Sequence, residues 1–305
     1  MSNKNKITGP LILVSAAMIW GLSFIAQSEG TKYLEPFTFN AIRNFLGTLV
    51  LLPFVIYRKK KEPVAVLTDS EKKSKRKTTV IGILIVGTSL CVGLNLQQYA
   101  FITVNPGKVG FITALYMLLV PVFGIFMKKK TPLITWLGVL VGVAGLYCLC
   151  LGPSSDFSSF GKGEFVTLLG AIAFAIQIIS IDYFADKIDP ILLSCGQFFV
   201  AFIQSTVMMF IFENPDIHNI SKAWITLIYT GVFSCGIAFT FQIIGQKYTE
   251  PTLASMLLCL ESVFSVIFEF LILKTSMQIF EYIGCAIMFV GIILAQIQPK
   301  NRKLN

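Results

Sequence analysis

Ten stretches of this chain, each close to twenty residues long and nearly free of charge, limit what it can fold into. They run over 8–27, 37–57, 80–101, 108–127, 133–151, 163–183, 191–212, 223–244, 252–273 and 279–297. A hydrocarbon core about 30 Å thick is crossed by about 20 residues at the helical rise of 1.5 Å. Barrel strands alternate in polarity and run only about 10 residues, whereas these stretches are continuously apolar. The expected fold class is therefore an all-α integral membrane protein with ten transmembrane helices. Charge content agrees: 13% of residues are charged, about half of what a water-facing surface carries. A soluble domain, a disordered chain and a disulfide-stapled module are excluded. Pro36, Pro106, Pro132, Pro153, Pro190, Pro215 and Pro251 fall in the breaks between stretches, where a missing N–H does little harm at a helix start.

The basic residues orient the chain. With the N-terminus in the cytoplasm, 19 of the 25 Lys and Arg lie on the cytoplasmic side and 5 outside, with Arg43 inside a span. That is the positive-inside distribution, and it accounts for the net charge of +9 without nucleic acid. Both termini are then cytoplasmic. The charged stretch 58–77, RKKKEPVAVLTDSEKKSKRK, reads as an orienting, solvated loop. The first apolar stretch is too long for a signal-peptide core and is kept as a permanent span. All seven cysteines fall inside spans with no metal-type spacing and read as small packing residues.

The chain repeats itself weakly. At an offset of 154, Gly9 falls on Gly163, Trp20 on Phe174, Pro36 on Pro190 and Arg43 on Gln197. At 145, Gln97 falls on Gln242 and Pro106 on Pro251, and at 146 Gly138 and Gly145 fall on Gly284 and Gly291. Two halves follow, 1–152 and 153–305, of five spans each. Five is odd, so the second half enters the membrane from the opposite side. Such inverted repeats are found in secondary transporters, with the solute near the midplane between the halves.

The segments SAAMIWGLSFIAQ (15–27), EPFTFNAIRNFLG (35–47), NPGKVGFITALYMLLVPVFGIF (105–126), LASMLLCLESVFSVIFEFLIL (253–273) and IGCAIMFVGIIL (283–294) carry a resemblance. They are similar to the EamA-type transporters of the drug/metabolite transporter superfamily, over nearly the whole chain. The resemblance implies ten helices, cytoplasmic termini, a central cavity, and export or exchange of small metabolites such as amino acids. That family often has an acid just after helices four and nine, where this chain has Lys128–Lys130 and Lys274, and a proline where it has Ser262.

Polar residues deep in apolar spans are the candidates for solute handling, because a charge in hydrocarbon costs about 2.5–3.5 kcal/mol on insertion scales. Asn40, Arg43, Asn44 and Gly47 share one helical face of the second span. Arg43 is either a cation for a substrate carboxylate, a structural arginine bonding carbonyls, or one snorkelling outward. Glu261 lies about nine residues into the ninth span, ~14 Å deep, with Ser265 and Glu269 following on the same stripe. Burial there disfavours the charged form of a carboxyl unless a cation such as Arg43 offsets it, which makes Glu261 the candidate for proton coupling. Glu269 reads as interfacial and Asp182 as a helix-end charge. Trp20 and Phe24, with Gln97, Tyr116, Gln177 and Gln242, complete the expected substrate-binding set together with Asn40 and Arg43. Gln27, Thr113, Ser180, Ser194, Gln197 and Gln204 add polar character to the same spans.

Gly138, Gly142 and Gly145 line one face of helix five, and Gly284 and Gly291 one face of helix ten. Small residues allow close backbone approach in lipid, so these faces are expected to meet each other or a second subunit in a homodimer. No phosphate-binding loop GxxxxGK[ST] is present and His218 is the single histidine. No cofactor, metal or enzymatic chemistry is expected. The reading is a secondary transporter of the cytoplasmic membrane, moving an amino acid or similar small amphipathic solute by alternating access. A sugar, nucleoside or drug transporter of the same fold, and an uncoupled facilitator or channel, are the alternatives.

Overall fold

The computed structural model describes residues 3–61, 68–104, 106–129, 131–151, 161–274 and 278–297. Residues 62–67 of the basic stretch, Lys130, Pro153, the boundary between the halves, and Lys300, Arg302 and Lys303 lie outside them. Among the described residues, ten helices are long and apolar enough to cross a membrane. They are α1 (Ile7–Gly30), α2 (Pro36–Lys61), α3 (Asp69–Ala100), α4 (Gly107–Phe126), α5 (Leu133–Cys150), α6 (Lys162–Phe184), α7 (Pro190–Phe212), α8 (Trp224–Gln246), α9 (Pro251–Ile272) and α10 (Ile279–Gln296). The chain is a multi-pass membrane protein.

One expectation is corrected. The charged stretch does not stay a loop to Lys77, because helix α3 already begins at Asp69. Thr68 and Glu71 form a reciprocal capping box, with the Glu71 carboxylate accepting the Thr68 N–H at 2.8 Å. The cap satisfies the first turn, and the exposed lysines stay solvated on a helix as well as on a loop.

The helices are turned inside out relative to a soluble bundle. Phe45, Leu49, Leu52 and Phe54 on α2, Phe199, Ile203, Val207 and Phe210 on α7, and Phe289, Val290 and Ile293 on α10 face outward. Asn40, Asn44, Gln98, Thr167, Ser194, Gln197 and Ser205 are buried. Lipid rewards the first arrangement, and internal hydrogen bonds satisfy the second. The main packing partners are α5 with α10, α2 with α7 and α8, α3 with α6 and α7, α1 with α8 and α9, and α4 with α6.

Where helices come closest, glycine is the reason. A Cβ on Gly138 would lie 2.6 Å from the Gly291 carbonyl, and one on Gly145 2.9 Å from that of Gly284. The two glycine faces of α5 and α10 therefore meet within one chain. A homodimer through these helices would have to use their outer apolar sides. Gly163 and Gly9 make matched contacts: the first receives Thr103 and Val104, the second Tyr248 and Thr249.

Several spans are not regular helices. α4 breaks at Leu115 and α9 at Cys259, and the Cys259 thiol donates to the Ala114 carbonyl at 3.4 Å, so the breaks touch. Residues Tyr229–Ala238 of α8 and Glu269–Leu273 in the last turns of α9 wind more widely, in π-helical form. Lys128 and Lys274, just beyond α4 and α9, both adopt positive φ.

Ion pairs and caps fix the helix ends. Lys108 and Glu164 pair at 2.6 Å between the first turns of α4 and α6, and Lys129 pairs with Asp182 where α6 ends. Arg58 and Asp189 pair at 2.5 Å. Glu213, at the end of α7, accepts the N–H groups of Phe37 and Thr38 at 2.8 and 2.6 Å and the Thr38 hydroxyl at 2.7 Å. These are otherwise orphan donors of the first turn of α2. Glu213→Ala is expected to cost about 1–3 kcal/mol, read as a lowered melting temperature of the purified protein. An unchanged melting temperature would show that water replaces the cap fully.

Candidate functional site

Between the helices, polar side chains of the interior line a crevice. Its empty space, mouth included, is about 480 Å³, most of it narrow rather than an open chamber. Sixteen residues line it. Trp20, Phe24 and Gln27 come from α1, Arg43 from α2, Leu94 and Gln97 from α3, and Thr113 and Tyr116 from α4. Phe174, Gln177 and Ile178 come from α6, Ser234, Phe239 and Gln242 from α8, and Leu258 and Glu261 from α9. Each half of the chain supplies eight.

Eight of the nine residues expected from sequence meet here: Trp20, Phe24, Arg43, Gln97, Tyr116, Gln177, Gln242 and Glu261. Asn40 is the exception and is corrected. It is fully buried, but its amide donates to the Leu94 carbonyl at 3.1 Å and to Asn95 Oδ1 at 2.9 Å. Asn95 in turn donates to Ser205 at 2.9 Å. Asn40 therefore belongs to a polar contact binding α2, α3 and α7, one helical turn away from Arg43 and turned from the crevice. Gln197, the counterpart of Arg43 at the repeat offset, also stays behind the wall, accepting from Gln177 at 3.3 Å.

Arg43 is 1% exposed, so it does not snorkel to water. Its Nη1 donates to Gln27 Oε1 at 2.7 Å, and its guanidinium stands 5.6 Å from the Phe39 ring centre. It takes no carboxylate partner among the described residues, and its Nε is buried without an acceptor. Glu261 is 5% exposed and accepts from the Tyr116 hydroxyl at 3.3 Å. Gln177 and Gln242 exchange amide hydrogen bonds at 3.3 and 3.1 Å, and Gln97 donates to Thr113 at 3.3 Å. Trp20 packs against Phe239 at 4.5 Å between ring centres. The crevice thus holds one cation, one carboxyl group, paired amides and aromatic walls. Among the described residues no group of His, Cys, Asp or Glu is arranged to hold a metal.

Sequence reasoning missed the apolar part of this wall: Leu94, Phe174, Ile178, Phe239 and Leu258. An apolar residue in an apolar span carries no signal of its own, but the repeat offsets do. Trp20 and Phe174 are counterparts at 154, as are Phe24 and Ile178. Leu94 and Phe239, Gln97 and Gln242, Thr113 and Leu258, and Tyr116 and Glu261 are counterparts at 145. Six such pairs line the crevice, and the last of them is the hydrogen-bonded one.

Comparison with known proteins adds the following. The profile of the EamA-like transporter family matches twice, over residues 7–151 and 161–296. An uncharacterized transporter of Archaeoglobus fulgidus is 25% identical over 299 residues, covering 96% of this chain and 87% of its own. One of Bacillus subtilis is 23% identical, covering 96% and 98%. A chloroplastic WAT1-related protein of Arabidopsis thaliana is 23% identical, covering 95% and 70%. A solved crystal structure superposes with a TM-score of 0.76 at 19% identity, covering 94% of this chain and 96% of that one, which bears on the fold alone.

Proposed function

The chain belongs to the EamA-like transporter family, and from that premise we propose that it is a secondary transporter of the cytoplasmic membrane. In this reading it moves an amino acid or similar small amphipathic solute outward, or in exchange, by alternating access. The observation that carries the reading is the crevice itself, to which each half contributes eight wall residues. A solute held between two halves is released to one face or the other as the halves rock. The matched contacts of Gly9 and Gly163, the double profile match and the counterpart pairs in the wall support two inverted repeats, 1–152 and 153–305. The loop charges support cytoplasmic termini. In the same reading, Arg43 receives the anionic end of the solute and Glu261 carries the coupling proton.

Purified protein in liposomes preloaded with an unlabelled solute is expected to accumulate the labelled form by counterflow. A panel of amino acids, organic acids, sugars, nucleosides and cationic drugs covers the field. Vesicles inert across that panel would overturn the reading. Uptake without trans-stimulation would favour an uncoupled facilitator.

A further inference from the structure

At the end of the bundle where α2 gives way to α3, basic residues outnumber the acids that could balance them. We propose that this end binds anionic phospholipids of the adjoining leaflet, with the phosphate on Lys73, Arg76 and Lys77 and the acyl chains on the outward face of α3 below them. The binding is independent of what the crevice carries. Nine basic residues stand against three acidic ones over 58–77, a surplus of six in a chain of net charge +9. The other connectors of that end nearly balance, with Lys128–Lys130, Lys187 and Lys247 against Asp182, Asp186, Asp189 and Glu250. Three of those acids are in ion pairs: Asp182 with Lys129, Asp186 with Lys247 at 3.7 Å, and Asp189 with Arg58 at 2.5 Å. Within the basic stretch, Asp69 lies 3.6 Å from Lys72, and Glu71 is engaged in the cap on Thr68. Lys73, Arg76 and Lys77 are all exposed.

Helix geometry puts these three residues at the height of a headgroup. α3 has 32 residues, about 48 Å at the helical rise, whereas a hydrocarbon core is about 30 Å thick. About its first twelve residues therefore stand in the headgroup zone or beyond it. Lys73, Arg76, Lys77, Val80 and Leu84 follow at i, i+3, i+4, i+7 and i+11, which is one face of a helix. The lower part of that face meets lipid. Val80 is 48% and Leu84 49% exposed, while Gly82 on the other side of the helix lies against Phe184 and Ile188. The same order recurs on α2, where Phe54 and Tyr57 face outward and the Lys61 ammonium stands 4.6 Å from the Tyr57 ring centre. A soluble anion would leave the apolar part of the α3 face unused, whereas one phospholipid spans both parts. Basic residues just outside a span attract anionic headgroups, each by about fivefold in affinity.

The test follows the melting temperature of the full chain in detergent as lipid is added. Phosphatidylglycerol is expected to raise it at a concentration at least about tenfold below that needed for phosphatidylcholine with the same acyl chains. About 0.5 M salt is expected to remove most of that difference. A variant combining Lys73→Gln, Arg76→Gln and Lys77→Gln is expected to need at least about tenfold more phosphatidylglycerol than the unaltered chain. One combining Lys128→Gln, Lys187→Gln and Lys247→Gln removes the same charge from the same end, and is expected to respond within about threefold of the unaltered chain. Should the first variant not fold, the salt series on the unaltered chain decides, and a preference for phosphatidylglycerol that survives salt overturns the proposal. No preference for phosphatidylglycerol, no loss in the first variant, or an equal loss in both overturns it as well. So does an equal rise given by glycerol phosphate or polyglutamate at matched charge, which would make the ligand a soluble phosphate or an acidic protein.

Discussion

Glu261→Gln is expected to abolish solute accumulation driven by a pH gradient while counterflow of the same solute continues. Glu261 is the single carboxylate among the residues lining the crevice, and it is 5% exposed. Glutamine keeps the shape and still accepts from the Tyr116 hydroxyl, which lies 3.3 Å from Oε1. It cannot take up and release a proton. Binding and alternation therefore survive, and only the link to the proton gradient is lost. The measurement is uptake of labelled solute into proteoliposomes with and without an imposed pH difference, beside equilibrium exchange at equal pH. Accumulation unchanged by the substitution removes Glu261 from coupling. Loss of exchange as well would make it a binding or structural group.

The largest effect on folding is expected at the α5–α10 contact. A Cβ on Gly284 would lie 2.5 Å from the Leu149 nitrogen and 2.7 Å from the Gly145 carbonyl oxygen and the Leu149 Cα. All three are backbone atoms and cannot turn aside as a side-chain end can. Gly284→Leu must therefore separate the two helices along their length. In lipid no hydrophobic force holds them together, because the surrounding chains are as apolar as leucine. Overpacking in a tight core costs about 1–3 kcal/mol or more, and here it also removes the close backbone packing that replaces that force. Loss of most of the monodisperse protein after extraction is expected. Gly124→Ala is the control, since a Cβ there meets nothing nearer than the Lys129 Cβ at 3.8 Å, and full recovery is expected. Equal recovery of both variants would show that α5 and α10 are not held by this seam.

Much of the architecture was legible because lipid imposes a length and a polarity on anything that crosses it. The ten spans follow from run length alone, and the glycine faces of α5 and α10 follow from helical spacing. Arg43 and Glu261 stood out because a charge in an apolar run needs a reason. Asn40 shared a face with Arg43 by the same spacing, yet one turn along the helix brought it against Leu94 and Asn95 instead. Helical phase fixes direction but not which neighbour stands there. The breaks at Leu115 and Cys259 and the wide winding of Tyr229–Ala238 left no mark, since no glycine or proline stands at either break and the segments are ordinary in composition. They depend on how α4, α8 and α9 meet the opposite half, which only the assembled bundle shows.

The contact between Tyr116 and Glu261 joins two positions that correspond at the repeat offset of 145. In the proposed arrangement of two repeats, positions that correspond to one another and also touch lie beside the axis relating the halves. An ancestor built from two identical copies would have set like against like there, a pair of phenols or a pair of acids. Two acids at that spot repel unless they share a proton, and two phenols leave no base. As the chain stands, Tyr116 and Glu261 set a donor against an acceptor, so the two halves supply unlike groups here and are not interchangeable at this place.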